Sequence, residues 1–204
     1  MKRIILALVL SSLSFGANAA LIDRGDGFIY DSDQDITWTE NGSINGLGNW
    51  YGQVAWADGY SQTHSVYGTF DDWRLPTTLQ PDPSCDVQYD PGGGFSVQGR
   101  GDGCTGSEMG HLFNVYGISH APGAWGPFSY VENYFYWSGT DYAPNNSSAW
   151  TYYTHGSQFP QDKLGYFVAW AVMDGDVASV VPIPAAVYLF ASGLGLLGWF
   201  RKKS

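Results

Sequence analysis

The chain predicts an α+β domain, with two helices and a mainly antiparallel sheet, followed by one C-terminal transmembrane helix. Three observations carry that expectation. Capped, amphipathic segments occur early, around residues 49–59 and 105–117. Aromatic and β-branched runs broken by Gly, Pro and Asn follow late, and helices segregated from strands mark the α+β class. The stretch from Val177 to Phe200 carries no charge and ends on Arg201-Lys202-Lys203.

At the N-terminus, Lys2-Arg3, the apolar run Ile4–Leu13 and then Ala17-Asn18-Ala19 have the order of a secretory signal. Small residues at Ala17 and Ala19 place cleavage after Ala19, making residues 1–19 a signal peptide. The apolar run is too short to anchor the chain.

Gly27–Asp31 and Ile36–Thr39 read as two short strands joined by the turn Asp31-Ser32-Asp33-Gln34-Asp35. Asn49 caps a helix running to about Asp58, with Gly59 just past its end, and Trp50, Val54 and Ala57 share one face. Between Pro76 and Thr105 the periodicity disappears, and Pro81, Pro83, Pro91 and Gly92–Gly94 mark a long loop over 78–105. Cys85 and Cys104, the two cysteines of the chain, flank most of it. An exported protein reaches an oxidising compartment, so a disulfide between them is expected, closing a loop of about 20 residues. A metal site would want more thiols or nearby histidines, and a redox pair would want Cys-x-x-Cys.

Thr105-Gly106-Ser107-Glu108 has capping-box spacing, and Met109, Leu112, Phe113 and Tyr116 follow at i, i+3, i+4 and i+7. Gly117 stops that second helix. Tyr134–Ser138, Ala149–Thr154 and Tyr166–Met173 read as strands. In the last of these both faces are apolar, which predicts a central, buried strand. Beyond the domain, Pro182 and Pro184 exclude a helix before Ala185. The segment 185–200 then gives roughly 24 Å of helix, slightly short of a bilayer core of about 30 Å. Its basic tail holds that end in the cytoplasm and leaves the body outside.

Two resemblances follow from these residues. Val181-Pro182-Ile183-Pro184-Ala185, then Tyr188-Leu189-Phe190, a Gly/Leu run and the basic triplet resemble a VPLPA-CTERM sorting signal of the PEP-CTERM class, with Ile183 where Leu is usual. That resemblance covers residues 182–204 and the residue before them. It implies export by a Gram-negative bacterium, a precursor held in the inner membrane, and processing by an exosortase-type peptidase toward the cell surface or extracellular matrix. In the body, Asp26-Gly27-x-Ile29-Tyr30-Asp31, Ile36-Thr37-Trp38, Trp73-Arg74-Leu75-Pro76-Thr77, Ser107-Glu108-Met109, Tyr136-Trp137-Ser138-Gly139-Thr140 and Ala149-Trp150 occur in order. This string resembles the Lcl C-terminal domain family, named for a collagen-like bacterial adhesin and related to C-type lectin-like domains. It implies a C-type lectin-like fold over residues 20–181 and a role in adhesion. The Cys85–Cys104 loop is a departure, because the second helix usually follows the Leu-Pro-Thr string closely. Trp73, Trp137 and Trp150 are motif residues, which makes them core candidates before binding candidates. Arg74 is expected to tie a buried carboxylate.

Residues 20–181 hold all 19 acidic side chains but only Arg24, Arg74, Arg100 and Lys163 as bases, leaving that part 15 charges negative. Such a field excludes nucleic acid as partner and attracts cations. Calcium is the one cofactor on offer, because Asp31, Asp33 and Asp35 have the i, i+2, i+4 oxygen spacing of calcium loops. The loop lacks Gly at its sixth position and Glu at its twelfth, so affinity of about 10⁻³ to 10⁻⁴ M is expected. Gln80-Pro81-Asp82 resembles a sugar-selecting tripeptide of calcium-dependent lectins, but it precedes the second helix and no Trp-Asn-Asp accompanies it. His64, His111, His120 and His155 are scattered, and no nucleophile elbow, metalloprotease helix or phosphate loop is present. A Ser-His-Asp triad or a carboxylate pair assembles in space and leaves no local trace. The expectation is a non-catalytic exported protein that recognises an extracellular polysaccharide or other surface polymer. An enzyme acting on such a polymer and a purely structural matrix component are the alternatives. Three or more solvent-facing aromatics beside a groove would favour glycan binding, and a buried His–carboxylate pair in a cleft would favour the enzyme.

Overall fold

The computed structural model describes residues 20–180, which form a mostly-sheet α+β fold with two short helices and predominantly antiparallel sheets. Ala17, Ala19 and the sorting motif Val181, Pro182, Ile183, Pro184 and Ala185 lie outside the described residues, as does segment 185–200. Among the described residues no helix is long and apolar enough to cross a membrane.

The strands β1 (Leu21–Gly25), β2 (Phe28–Asp31) and β3 (Ile36–Thr39) form an antiparallel meander. The sequence signal missed β1 and placed Gly27 in the second strand. Gly27 instead sits in the turn with φ +84°, beside Asp26 at φ +52°. The helix α1 (Trp50–Asp58) follows the short strand β4 (Leu47–Gly48), and the Asn49 side chain accepts from the Gly52 amide as a cap should. A small hairpin, β5 (Gln62–His64) and β6 (Gly68–Phe70), stands apart.

Segment 78–105 is ordered where the sequence showed no periodicity. It carries the hairpin β7 (Val87–Tyr89) and β8 (Gln98–Asp102). Cys85 and Cys104 are disulfide-bonded beneath it. Gly99 packs against the same spot because a Cβ there would lie 2.2 Å from the Asp82 carbonyl oxygen. The second helix departs from the capping-box expectation. The helix α2 (Glu108–Gly110) is a single turn that widens into a π-helical turn over His111–Val115, and Ser107 makes no side-chain cap. The reason is Arg74, whose guanidinium binds both oxygens of Glu108 at 2.7 and 2.8 Å and so withdraws that carboxylate from the cap. The expected face survives: Met109, Leu112 and Phe113 are buried.

Next come β9 (Phe135–Asp141), β10 (Ser148–Tyr153) and β11 (Ser157–Asp162), the last unsignalled because Pro160 interrupts it. The expected single strand Tyr166–Met173 is two: β12 (Phe167–Val168) and β13 (Val172–Asp174). They belong to different sheets, β12 within the order β4-β12-β9-β10-β11-β8-β7 and β13 within β1-β2-β3-β13. The segment is apolar on both faces because Ala169, Trp170 and Ala171, all fully buried, carry the chain from one sheet to the other. Trp170 anchors the crossing through its indole N–H to the Thr39 carbonyl, 2.8 Å away.

Directly opposite residues share a face, so Tyr136 and Tyr152 look one way from the seven-stranded sheet and Trp137 and Thr151 the other. The Tyr136 side joins Phe113, Trp38 and Trp170 in the main core between the two sheets. The Trp137 side packs with Ala57 and Val54 of α1. Core residues continue to Val177, fully buried in a third cluster with Phe28 and Trp73.

Candidate functional site

The named motif residues make contacts that hold the fold together, and Trp73, Arg74, Leu75 and Thr77 also line a cleft of about 250 Å³ with Trp50 and Val54. Trp73, Leu75, Trp137 and Trp150 are buried, and the Trp73 and Trp137 indoles donate to the carbonyls of Phe70 and Gly48. Arg74 ties Glu108 and Asp174 together, and the Thr77 amide adds a 2.6 Å bond to Glu108. Those two carboxylates hold the guanidinium above its usual range against the opposing effect of burial. Pro76 is buried too, and its carbonyl accepts from the Ser138 hydroxyl at 2.9 Å. The Trp-Arg-Leu-Pro-Thr string is thus a clamp between α2, β13 and β9.

Asp31, Asp33 and Asp35 diverge. Asp31 is fully buried, and one oxygen accepts from the amides of Asp33 and Gln34 and from the Tyr116 hydroxyl at 2.8 Å. Burial first, and that bond second, push the Tyr116 phenol up. Asp33 faces His111 at 3.3 Å, while Asp35 accepts from Tyr30, whose phenol burial and that bond raise to about 12. Among the described residues, the set of three potential metal-ligand side chains drawn within 4.8 Å is Asp82, Cys85 and Cys104, and its thiols are consumed in the disulfide. Gln80 and Asp82 are also engaged: Gln80 exchanges two bonds with the Gly99 backbone, and Asp82 accepts from Ser84 and Gly106.

Besides His111 with Asp33, a second His–carboxylate pair is His64 with Asp26, 3.6 Å apart. Both ring nitrogens are occupied. Nε2 lies 2.8 Å from the Arg24 carbonyl, and Nδ1 accepts from the amides of Val66 and Tyr67. The acceptor role of Nδ1 places the ring proton on Nε2, which donates it to the Arg24 carbonyl. Asp26 is itself held below the usual carboxylate range by hydrogen bonds from Ser65.

A different feature emerges on the Trp137 side of the sheet. There α1 covers Trp137 and Ala149 but ends before Phe135 and Tyr153, which face each other across β9 and β10. Beyond the helix a line of rings reaches solvent. Tyr134 lies 5.9 Å from Phe167, Phe167 5.4 Å from Phe135, and Phe135 4.7 Å from Tyr153. Tyr153 continues to His155 at 4.7 Å, and His155 to His120 at 4.6 Å. Tyr134 is 40% exposed.

A cleft of about 310 Å³ opens at the Tyr134 end. Leu47 and Val168 supply its apolar walls; Ser43, Glu132 and Asn133 supply its polar groups. The buried Gln53 of α1 positions the Leu47 side, donating to the carbonyls of Gly46 and Phe167 at 2.9 and 3.1 Å. Across the cleft, Tyr153 donates to the Asn133 carboxamide oxygen at 3.1 Å, leaving the Asn133 NH₂ group directed by that bond. The ring line therefore meets a groove whose polar groups are held in place. A second cleft, of about 380 Å³, lies at the His120 end between Phe113, Asn114 and Thr154.

None of these ring residues was singled out from sequence, because they come from three strands and a loop. The available signal was the i, i+2 pairing of Phe135 with Trp137, which puts a second large ring on a face that one short helix cannot cover. Comparison with protein-family models, with curated proteins and with solved structures found no match to this chain.

Proposed function

We propose that this chain is an exported, non-catalytic surface or extracellular-matrix protein whose C-type lectin-like domain recognises a neutral glycan. The observation that carries the reading is the line of rings that runs from exposed Tyr134, on the wall of the Leu47–Asn133 cleft, through half-buried Phe167, Phe135 and Tyr153. Aromatic faces stack on the apolar faces of sugars, and a few oriented polar groups fix the pose. The acidic body argues for an uncharged ligand, because a field of 15 net negative charges over residues 20–181 repels polyanions. Glu132 is the one carboxylate lining that cleft, whereas glycoside hydrolysis requires a pair. That favours recognition over cleavage.

The likeness to the Lcl C-terminal family and the VPLPA-CTERM-like tail extend the proposal to the route. A signal peptide exports the chain, segment 185–200 holds a precursor in the inner membrane, and an exosortase-type peptidase passes it to the surface. Such a protein meets polysaccharide where it is delivered.

The test is retention of the full chain on a panel of neutral and acidic polysaccharides, with and without calcium. Neutral polymers should bind and acidic ones should not. Tyr134→Ala should weaken binding about tenfold, the size of ~1.4 kcal/mol. Chelating calcium should change nothing, since none of Asp31, Asp33 and Asp35 lines the cleft. No retention of any neutral polymer, or a Tyr134→Ala protein that binds like wild type, would remove this reading.

A further inference from the structure

We propose that His120 and His155 bind a late first-row transition-metal ion, copper(II) in preference to nickel or zinc. The two residues are far apart in sequence, but the fold brings their ring centres to 4.6 Å with the planes tilted by 58°. Imidazole nitrogen suits copper, nickel and zinc, which bind at about 2 Å, so two neighbouring rings can point at one ion.

Two orphaned polar atoms indicate a ligand here. Nδ1 of His120 is buried and has no hydrogen-bond partner among the described residues. The hydroxyl of Thr154 has none either, and Thr154 is 1% exposed on the wall of the same cleft. Buried polar atoms without partners cost free energy, and an ion with its bound waters would satisfy both. The cleft, about 380 Å³, has room for them.

The scaffold on either side is fixed. His155 sits in the turn just past β10, where the Gly156 amide bonds the Tyr153 carbonyl at 2.9 Å. Asn114 holds that turn from below through the Gly156 carbonyl and also reaches the Cys104 carbonyl. His120 lies in a loop closed by Ser119 to Ala124 at 3.0 Å and rooted by the buried Ile118. Phe113 and Ile118 supply an apolar wall. No carboxylate lines the cleft, which disfavours calcium and magnesium and leaves nitrogen donors to select the ion. The acidic body raises the local cation concentration without entering the site.

The experiment is a copper(II) titration of the full, untagged chain in detergent, followed by calorimetry and electron paramagnetic resonance. One equivalent should bind, with nitrogen hyperfine structure from two imidazoles. His155→Ala, on an exposed residue that the fold does not need, should weaken binding at least about tenfold, and His120→Ala should do the same. Nickel and zinc should bind more weakly, in the order their imidazole complexes follow. His111→Ala should leave binding intact. If His120→Ala disturbs the near-ultraviolet circular dichroism, His155→Ala alone carries the comparison. Copper binding unchanged in the His120→Ala/His155→Ala double variant, or wild type binding no more copper than that variant, would overturn the proposal. Neither result touches the glycan reading, which rests on Tyr134 and its cleft.

Discussion

Replacing Trp170 by alanine should destabilise the fold by about 3–5 kcal/mol, the range for truncating a buried tryptophan. Trp170 is fully buried in the link between β12 and β13, where the chain leaves one sheet for the other. Its ring meets Trp38, Phe113, Phe128 and Tyr136 at centroid distances of 5.4, 6.4, 4.8 and 5.6 Å. Gly42 closes against it as well, since a Cβ there would lie 3.3 Å from the indole. Truncation would open a cavity that four rings cannot fill and would orphan the Thr39 carbonyl. Against a total stability of about 5–15 kcal/mol, most of the margin would go. The denaturant midpoint should fall steeply with its slope unchanged. Trp125→Ala, at a 36% exposed site, should shift it by little. Equal midpoints for the two variants would mean that the crossing does not hold the sheets together.

Loss of the Cys85–Cys104 disulfide should cost about 3 kcal/mol, the chain-entropy value for a closed loop of about 20 residues. The bond joins Cys85 to Cys104, four residues before α2, and the buried Gln158 carboxamide bridges Gly99 of the same segment to Ser107. Reduction should therefore loosen the β7–β8 hairpin first while the main core persists. Cys85→Ser/Cys104→Ser should lower the denaturant midpoint. It should also speed hydrogen exchange at Gly99, whose amide donates to Gln80 at 2.7 Å. Two freely alkylated thiols in non-reduced protein, or a double variant as stable as wild type, would contradict this.

The elements that the sequence predicted well are those whose signals are local. Asn49 caps α1 with its own side chain, and Gly117, at φ +71°, ends the second helical segment where the chain needs a left-handed residue. The misreadings arise where a distant group intervenes. Glu108 has capping-box spacing, but Arg74 from 34 residues away takes its carboxylate. Tyr166–Met173 has one hydrophobic pattern, but it serves two sheets because Trp170 binds Thr39. The β7–β8 hairpin has a wholly exposed first strand, so no alternation betrays it. The candidate site was the least legible part. Its rings are contributed by β9, β10, β12 and a loop, and only the register of those strands reveals that they share one face beside α1 and remain partly open to solvent.

The claim that these rings receive a glycan is tested most directly by nuclear magnetic resonance of isotopically labelled protein titrated with a neutral oligosaccharide that the panel identifies. The account predicts shifts concentrated on Leu47, Asn133, Tyr134, Tyr153 and Phe167, with saturation transferred from the aromatic rings to the sugar. Shifts confined to the Trp73–Thr77 clamp or the Asp31–Asp35 turn, with the Tyr134 ring silent, would contradict it.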